Sequence, residues 1–278
     1  MKKLIYLFLI TFLLTSCYSN NYVFTSIQNP FLDSTQVGSV KLLTSLDSKQ
    51  LQTALRLHKE WIAGADFFYN LNYLSKSESP YSRIALDLMV SKNFYPFNFS
   101  QNRIGFSTGL GVGFGNTNYK DVQIPFDYNS RSALSDYQKL FLQLGLSFQR
   151  RKIHLNVFYR INLLHYNYYY NYYQPETPRK TLSNDKPQAE VYEFDNKYTL
   201  VNEGMFQIIL RPHRRTSYSA ELGVSNPTNL FDINDYRRNE IKYNNNNQVE
   251  KYGGSPHPNY VPVSFRLGVQ FKLGGKKD

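Results

Sequence analysis

Between Asn102 and Gly115 the chain reads NRIGFSTGLGVGFG, and few folds can use such a stretch. Ile104, Phe106, Thr108, Leu110, Val112 and Phe114 alternate with Gly105, Ser107, Gly109, Gly111 and Gly113. A period of two sends alternate side chains to opposite faces of a strand, so one face is apolar and the other nearly bare. Glycine weakens a strand and is placed there when another backbone or a packed interior must come close. A soluble sandwich would bury the apolar face and carry Thr, Lys or Glu on the other. A bare face instead suits the narrow inside of a closed barrel whose outside meets lipid. For this stretch alone, a buried core strand of a soluble β-protein is the alternative, and repetition along the chain decides between the two.

The alternation recurs in ten segments: Val37–Leu43, Leu51–Leu57, Trp61–Tyr73, Arg83–Lys92, Asn102–Gly115, Tyr137–Gln149, Ile153–Leu163, Thr199–Arg211, Thr216–Val224 and Val261–Phe271. The sixth shows the pattern well, with Leu140, Leu142, Leu144, Leu146 and Phe148 facing out and Gln143, Gly145 and Ser147 facing in. The first is weak, and the eighth is blurred by Glu203 and Ile209, which leaves eight strands as the alternative to ten. Short connections follow segments two, four, six and eight (His58–Glu60, Asn93–Gln101, Arg150–Lys152, Pro212–Arg215). Long polar ones follow five, seven and nine (Asn116–Asp136, Leu164–Lys197, Ser225–Tyr260). Short turns at one end and long loops at the other mark an up-and-down transmembrane β-barrel, with short periplasmic turns and long extracellular loops. This parity puts both ends of the barrel segment on the short-turn side.

Composition fits that fold class. The chain carries 24 Tyr and 20 Phe but 1 Trp, a supply suited to aromatic girdles. Its mean hydropathy of -0.49 is no obstacle, because barrel strands are only half apolar. Beyond residue 16 no apolar run reaches the roughly 18 residues that a spanning helix needs.

The beginning of the chain reads as a targeting segment, Met1–Ser16, with Lys2 and Lys3 ahead of the apolar run Leu4–Leu14. Leu14-Thr15-Ser16-Cys17 has the form of a bacterial lipobox, and Cys17 is the 1 Cys of the chain. The expected modification is a covalent lipid on Cys17, with no other cofactor and no metal. Residues 17–36 are then a lipidated periplasmic tether, 37–273 the barrel and 274–278 a basic tail.

A formal charge of +11 raises the question of nucleic acid. No zinc-ligand spacing, helix-turn-helix or other nucleic-acid module accompanies it, so no nucleic-acid partner is expected. Lys59, Arg150, Arg151, Lys152, Arg211, Arg214, Arg215, Lys272, Lys276 and Lys277 instead gather on the short-turn side, where anionic headgroups would meet them.

The inward positions include Arg56, Asp66, Asp87, His154, Arg160, Glu221 and Arg266. In a narrow barrel such residues form a paired polar filling, which makes a passive pore unfavourable. For catalysis at the outer rim the candidates are His165 with Glu190 or Glu193, and His257 near Ser255; no spacing favours them, and no catalytic residue is assigned. Tyr166–Tyr173 (YNYYYNYY) reads as a continuation of the seventh strand beyond the membrane. Its Tyr168, Tyr169, Tyr170, Tyr172 and Tyr173 could alternatively serve as a binding platform, since tyrosine offers rigid amphipathic contact area.

Assembled, the chain resembles the small lipoprotein-anchored outer-membrane β-barrels of Gram-negative bacteria. The resemblance rests on LTSC, on Asn29-Pro30-Phe31-Leu32, and on ALRLHKEWIAGADFFYNL with its brief turn His58–Glu60. The chain departs from the usual barrel ending, because Leu273–Asp278 follow Phe271. The resemblance implies an outer-membrane location with the lipid-anchored N-terminus on the periplasmic side, and it carries no catalytic residue or substrate. The expected function is non-enzymatic: envelope structure, or surface binding through the long Tyr- and Asn-rich loops. An accessory subunit of a transport or secretion assembly and a rim hydrolase acting on lipid or peptide are the alternatives. Expected partners are outer-membrane lipids, the barrel-assembly and lipoprotein-processing machinery, and an envelope protein or glycan.

Overall fold

The computed structural model describes residues 25–29, 31–32, 36–45, 49–72, 81–99, 102–123, 129–175, 190–210, 214–228, 239–243, 249–252 and 263–274. Those residues contain β-strands and no helix. The strands are β1 (Gly38–Thr44), β2 (Lys49–Arg56), β3 (Trp61–Asn72), β4 (Tyr81–Phe99), β5 (Asn102–Gln123) and β6 (Asn129–Arg150). They continue with β7 (Ile153–Pro175), β8 (Glu190–Leu210), β9 (Thr216–Thr228), β10 (Asn239–Tyr243), β11 (Val249–Tyr252) and β12 (Val263–Leu273).

Strands β1 to β9 pair in sequence, all antiparallel, and β12 lies between β9 and β1. Closure runs from Gly38 opposite Leu273 at one end to Thr44 opposite Leu267 at the other. The result is a closed ten-stranded antiparallel barrel, with β10 and β11 as a hairpin attached to the tip of β8. Closure removes every edge from the ring, which is what lets a sheet cross lipid.

The outside is an apolar belt. Leu110, Leu140, Leu142, Leu144, Leu146, Val157, Leu222 and Leu267 are among its exposed side chains, with Leu110 at 64% exposure. At the short-turn end Lys92 lies 5.0 Å from the Phe94 ring and 5.9 Å from the Trp61 ring, and 3.6 Å from Glu60. An apolar stem with its charge among aromatics suits the membrane–water boundary. Lys59, Arg150, Arg151, Lys152, Arg214 and Arg215 are exposed at that same end.

The strands on one side are longer than the alternation predicts. β4 to β8 have 19, 22, 22, 23 and 21 residues. The belt stops near Phe114, Leu140 and Leu163, but β5, β6 and β7 continue with exposed Asn116, Asn118, Asp136, Gln138 and Asn167. Much of the polar sequence expected as loop is therefore paired strand. Outside lipid, a strand's outward face needs water rather than an apolar pattern, so the signal fades while the ladder goes on. Tyr166–Tyr173 belongs to this extension, within β7, and lies between β6 and β8 in register. At the other end β4 runs to Phe99, so its connection to β5 is shorter than the expected Asn93–Gln101.

The largest correction concerns the tether. Residues 17–36 were expected outside the barrel, as an irregular periplasmic link. Thr25, Ser26, Ile27, Gln28, Phe31 and Leu32 are instead buried within it. This inner strap pairs with no neighbouring strand, and the side chains of the wall meet its polar groups.

Candidate functional site

The filled lumen is the site that the fold builds, and the glycine face of β5 makes room for it. A Cβ at Gly111 would collide with the Phe141 ring, and one at Gly113 with Asp87 and Lys139. One at Gly115 would collide with the Tyr137 ring. At Gly145 on β6 an added Cβ would lie 2.8 Å from Phe158. Bare positions on one strand thus accept bulky inward side chains from the next, which is how a narrow barrel reaches the packing density of a protein interior.

The lumen is layered. Toward the long-loop end Phe68, Ala85, Tyr137, Leu164, Tyr166 and Val201 form an apolar cluster. Tyr166 meets the rings of Tyr137 and Tyr169 edge-on, at 5.6 and 5.4 Å. Nearer the short turns Ile27 and Phe31 of the strap pack with Phe158, Met205 and Tyr95. The Phe31 ring lies 6.1 Å from that of Phe158 and 6.2 Å from that of Tyr95.

Two polar clusters also fill the lumen, both tied to the strap, the first between these layers and the second reaching past Met205 toward the short turns. In the first, Asp87 Oδ2 lies 2.9 Å from Lys139 Nζ and 2.9 Å from Arg160 Nη1, and accepts a hydrogen bond from Thr25 Oγ1 at 2.8 Å. Arg160 also approaches Glu203 at 3.7 Å and donates to Gln143 Oε1 at 3.1 Å, with its guanidinium 4.3 Å from the Phe141 ring. Gln143 then donates to the Gln28 carbonyl at 2.8 Å. In the second, Glu221 pairs with Lys41 and accepts from Ser26 Oγ and, at 2.7 Å, from Gln207. Gln207 Oε1 accepts from Asn156 at 2.8 Å and from Asn29 at 2.7 Å. Gln50 and Gln52 donate to the Ser26 carbonyl and to Asp66.

Burying charge costs several kcal/mol per ion unless partners compensate, so each carboxylate here is met by cations or amides. Asp66, Asp87, Arg160, Glu221 and Arg266 are buried at inward positions. Arg56 sits at the short-turn end and donates to the Leu32 carbonyl at 3.2 Å. Arg266 lies opposite Glu221 in the β9–β12 register. His154 is inward near the short turns.

Lys41, Lys139 and Glu203 were not among the expected lumen residues, although each has an alternation signal. Lys139 falls in step with Gln143, Gly145 and Ser147 opposite the Leu140–Phe148 row. Glu203, read as a blemish in its strand, is a buried partner of Arg160. The strap residues had no such signal, since Thr25–Asn29 alternate with nothing.

The rim candidates do not converge. His165 Nε2 lies 2.6 Å from Asn196 Oδ1, and its ring is 4.5 Å from that of Tyr198. In register Glu193 stands opposite Tyr170 and Glu190 opposite Tyr173, whereas His165 stands opposite Tyr198. At roughly 3.4 Å per residue, that puts even the nearer glutamate about 17 Å along the strand from His165. Ser255, His257 and Cys17 lie outside the described residues. Tyr168 and Tyr169 are half-buried, while Tyr170, Tyr172 and Tyr173 are placed by backbone register only, their side chains lying outside the described part. Among the described residues no group of three or more His, Cys, Asp and Glu is placed to hold a metal ion.

No family model and no curated protein matches the chain. Among solved structures it is similar to the outer membrane protease OmpT from Escherichia coli, with 10% identity over 86% of this chain and 94% of that one, at a TM-score of 0.37. It is also similar to OmpT, an outer membrane protein of Vibrio cholerae, with 7% identity over 90% of this chain and 100% of that one, at a TM-score of 0.17.

Proposed function

We propose that this chain is a non-enzymatic outer-membrane barrel lipoprotein, anchored by a lipid on Cys17, that works through its long-loop rim. One observation carries the reading: the lumen is occupied along its polar middle by the chain's own strap, with Thr25, Ser26 and Ile27 at 0% exposure. Solute passage through such an interior requires the strap to leave. What remains accessible is the rim, where β4 to β8 rise beyond the belt and the Tyr168–Tyr173 stretch of β7 rises with them. Tyr168, Tyr169, Tyr170, Tyr172 and Tyr173 supply aromatic surface there for an envelope protein or glycan. The short turns, rich in Lys and Arg, face anionic headgroups on the periplasmic side in this reading.

The test is site-specific photo-crosslinking in living cells, with a benzophenone amino acid at Tyr172 and, separately, at Arg151. A discrete adduct to an envelope component from Tyr172 alone supports rim binding. Absence of any adduct from the rim, together with steady ion conductance of the purified chain in planar bilayers, contradicts it.

A further inference from the structure

The strap has a direction. Leu32 lies at the short-turn end, its carbonyl accepting from Arg56 at 3.2 Å and from the Tyr95 hydroxyl at 3.5 Å. Four residues earlier Gln28 donates to the Thr53 carbonyl, and earlier still Ser26 meets Gln52 and Gln50. The strap therefore runs alongside β2 and in the same sense, from its long-loop end to its short-turn end. Along β4 the order agrees: Leu32 is beside Tyr95, and Thr25 is beside Asp87, eight residues nearer the long-loop end. At Ser26 the strap already lies level with Gln50, next to Lys49, where β2 begins.

We infer that the chain upstream of Thr25, Cys17 included, leaves the barrel through the long-loop mouth, on the face opposite the short turns. The inference builds on the membrane-barrel reading but does not depend on which face points outward. Cys17 lies eight residue steps before Thr25, a reach of at most about 29 Å at 3.3–3.6 Å per residue. To reach the short-turn face, that segment would have to double back down a lumen already filled by Thr25–Leu32 and by Arg160, Phe158 and Met205. Beside β2 the way up is one or two residues long, past the apolar cluster that Phe68, Tyr137, Leu164 and Val201 form on the β3–β8 side; the way down is filled by the strap itself. An acyl anchor on Cys17 then enters the leaflet on the long-loop side, opposite to the placement that strand parity alone suggests. The barrel thus displays its own N-terminal end beside its long loops, having wrapped around the segment that joins them.

Single thiols read this directly. Asn20→Cys, Asn184→Cys and Arg151→Cys are each made in the full-length chain, with the unaltered chain as background for Cys17. Each is treated with a membrane-impermeant maleimide on intact and on permeabilised cells. The expected result is that Asn20→Cys follows Asn184→Cys, with the two labelled under the same condition and Arg151→Cys under the other. If both loop-side thiols need permeabilisation while Arg151→Cys does not, the shared exit still stands and the outward orientation of the loops is what fails. Asn20→Cys following Arg151→Cys overturns the inference, as does an Asn20→Cys thiol that labels under neither condition.

Discussion

Arg160 of β7 reaches across the lumen to Asp87 of β4, Nη1 to Oδ2 at 2.9 Å, and Thr25 of the strap donates to the same oxygen at 2.8 Å. One carboxylate thus joins two distant walls of the barrel to the segment inside it, with Lys139 at 2.9 Å completing the set.

Asp87→Asn removes the charge that these two buried cations share. Breaking a buried pair from one side costs about 3–5 kcal/mol, since the remaining ion is left uncompensated. The variant should unfold at a clearly lower urea concentration, followed by the mobility difference between folded and heated protein on gels. Adding Lys139→Met should recover part of the loss, because the two changes act on one cluster.

How much of this could be read beforehand depends on what each face touches. The belt was legible because lipid demands an apolar side chain at every second position, as in Leu140–Phe148. The bare face of β5 was legible as a crowded interior, though not which side chains fill it. Lys139 was legible by its step with Gln143, Gly145 and Ser147, whereas Glu203 was blurred because apolar Val201, Met205 and Ile209 share its inward face. The polar extensions of β5 to β8 were misread as loops, because the solvated part of a paired strand has no reason to alternate. The strap left no pattern, since its partners lie on six different strands.

Gly115 tests the crowding. Its nearest obstacle is the buried Tyr137 ring, itself packed against Tyr166. Gly115→Val should destabilise the barrel by about 1–3 kcal/mol, the usual range for overpacking. Tyr137→Ala in the same chain should restore part of that stability. Equal loss in the single and double variants would show that the ring is not the obstacle.

Position in the belt should set the cost of a charge. Leu110→Arg, on the lipid face of β5, should lower the folding free energy in phospholipid bilayers by about 2–4 kcal/mol, as at a bilayer midplane. Asn118→Arg, exposed on the same strand beyond the belt, should cost about 0–1 kcal/mol. Equal effects in vesicle-folding titrations would deny the belt.

Removal of residues 18–32 should leave a barrel with a hydrated lumen. Glu221, Gln207 and Gln50 would lose strap partners that contribute roughly 0.5–1.5 kcal/mol per hydrogen bond, and water would replace them. The shortened chain should unfold at lower temperature and pass small ions in planar bilayers, where the full chain passes none.

The most direct measurement is a disulfide between strap and wall. The Gln28 side chain occupies the space where a Cβ on Gly64 of β3 would lie, so the two positions suit a disulfide, whose Cβ atoms stand about 3.5–4.5 Å apart. In a Cys17→Ser background, Gln28→Cys with Gly64→Cys should oxidise in the folded barrel, protecting both thiols from maleimide until a reductant is added. Two thiols that stay free and alkylate fully under oxidising conditions in the folded protein would contradict a strap inside the lumen.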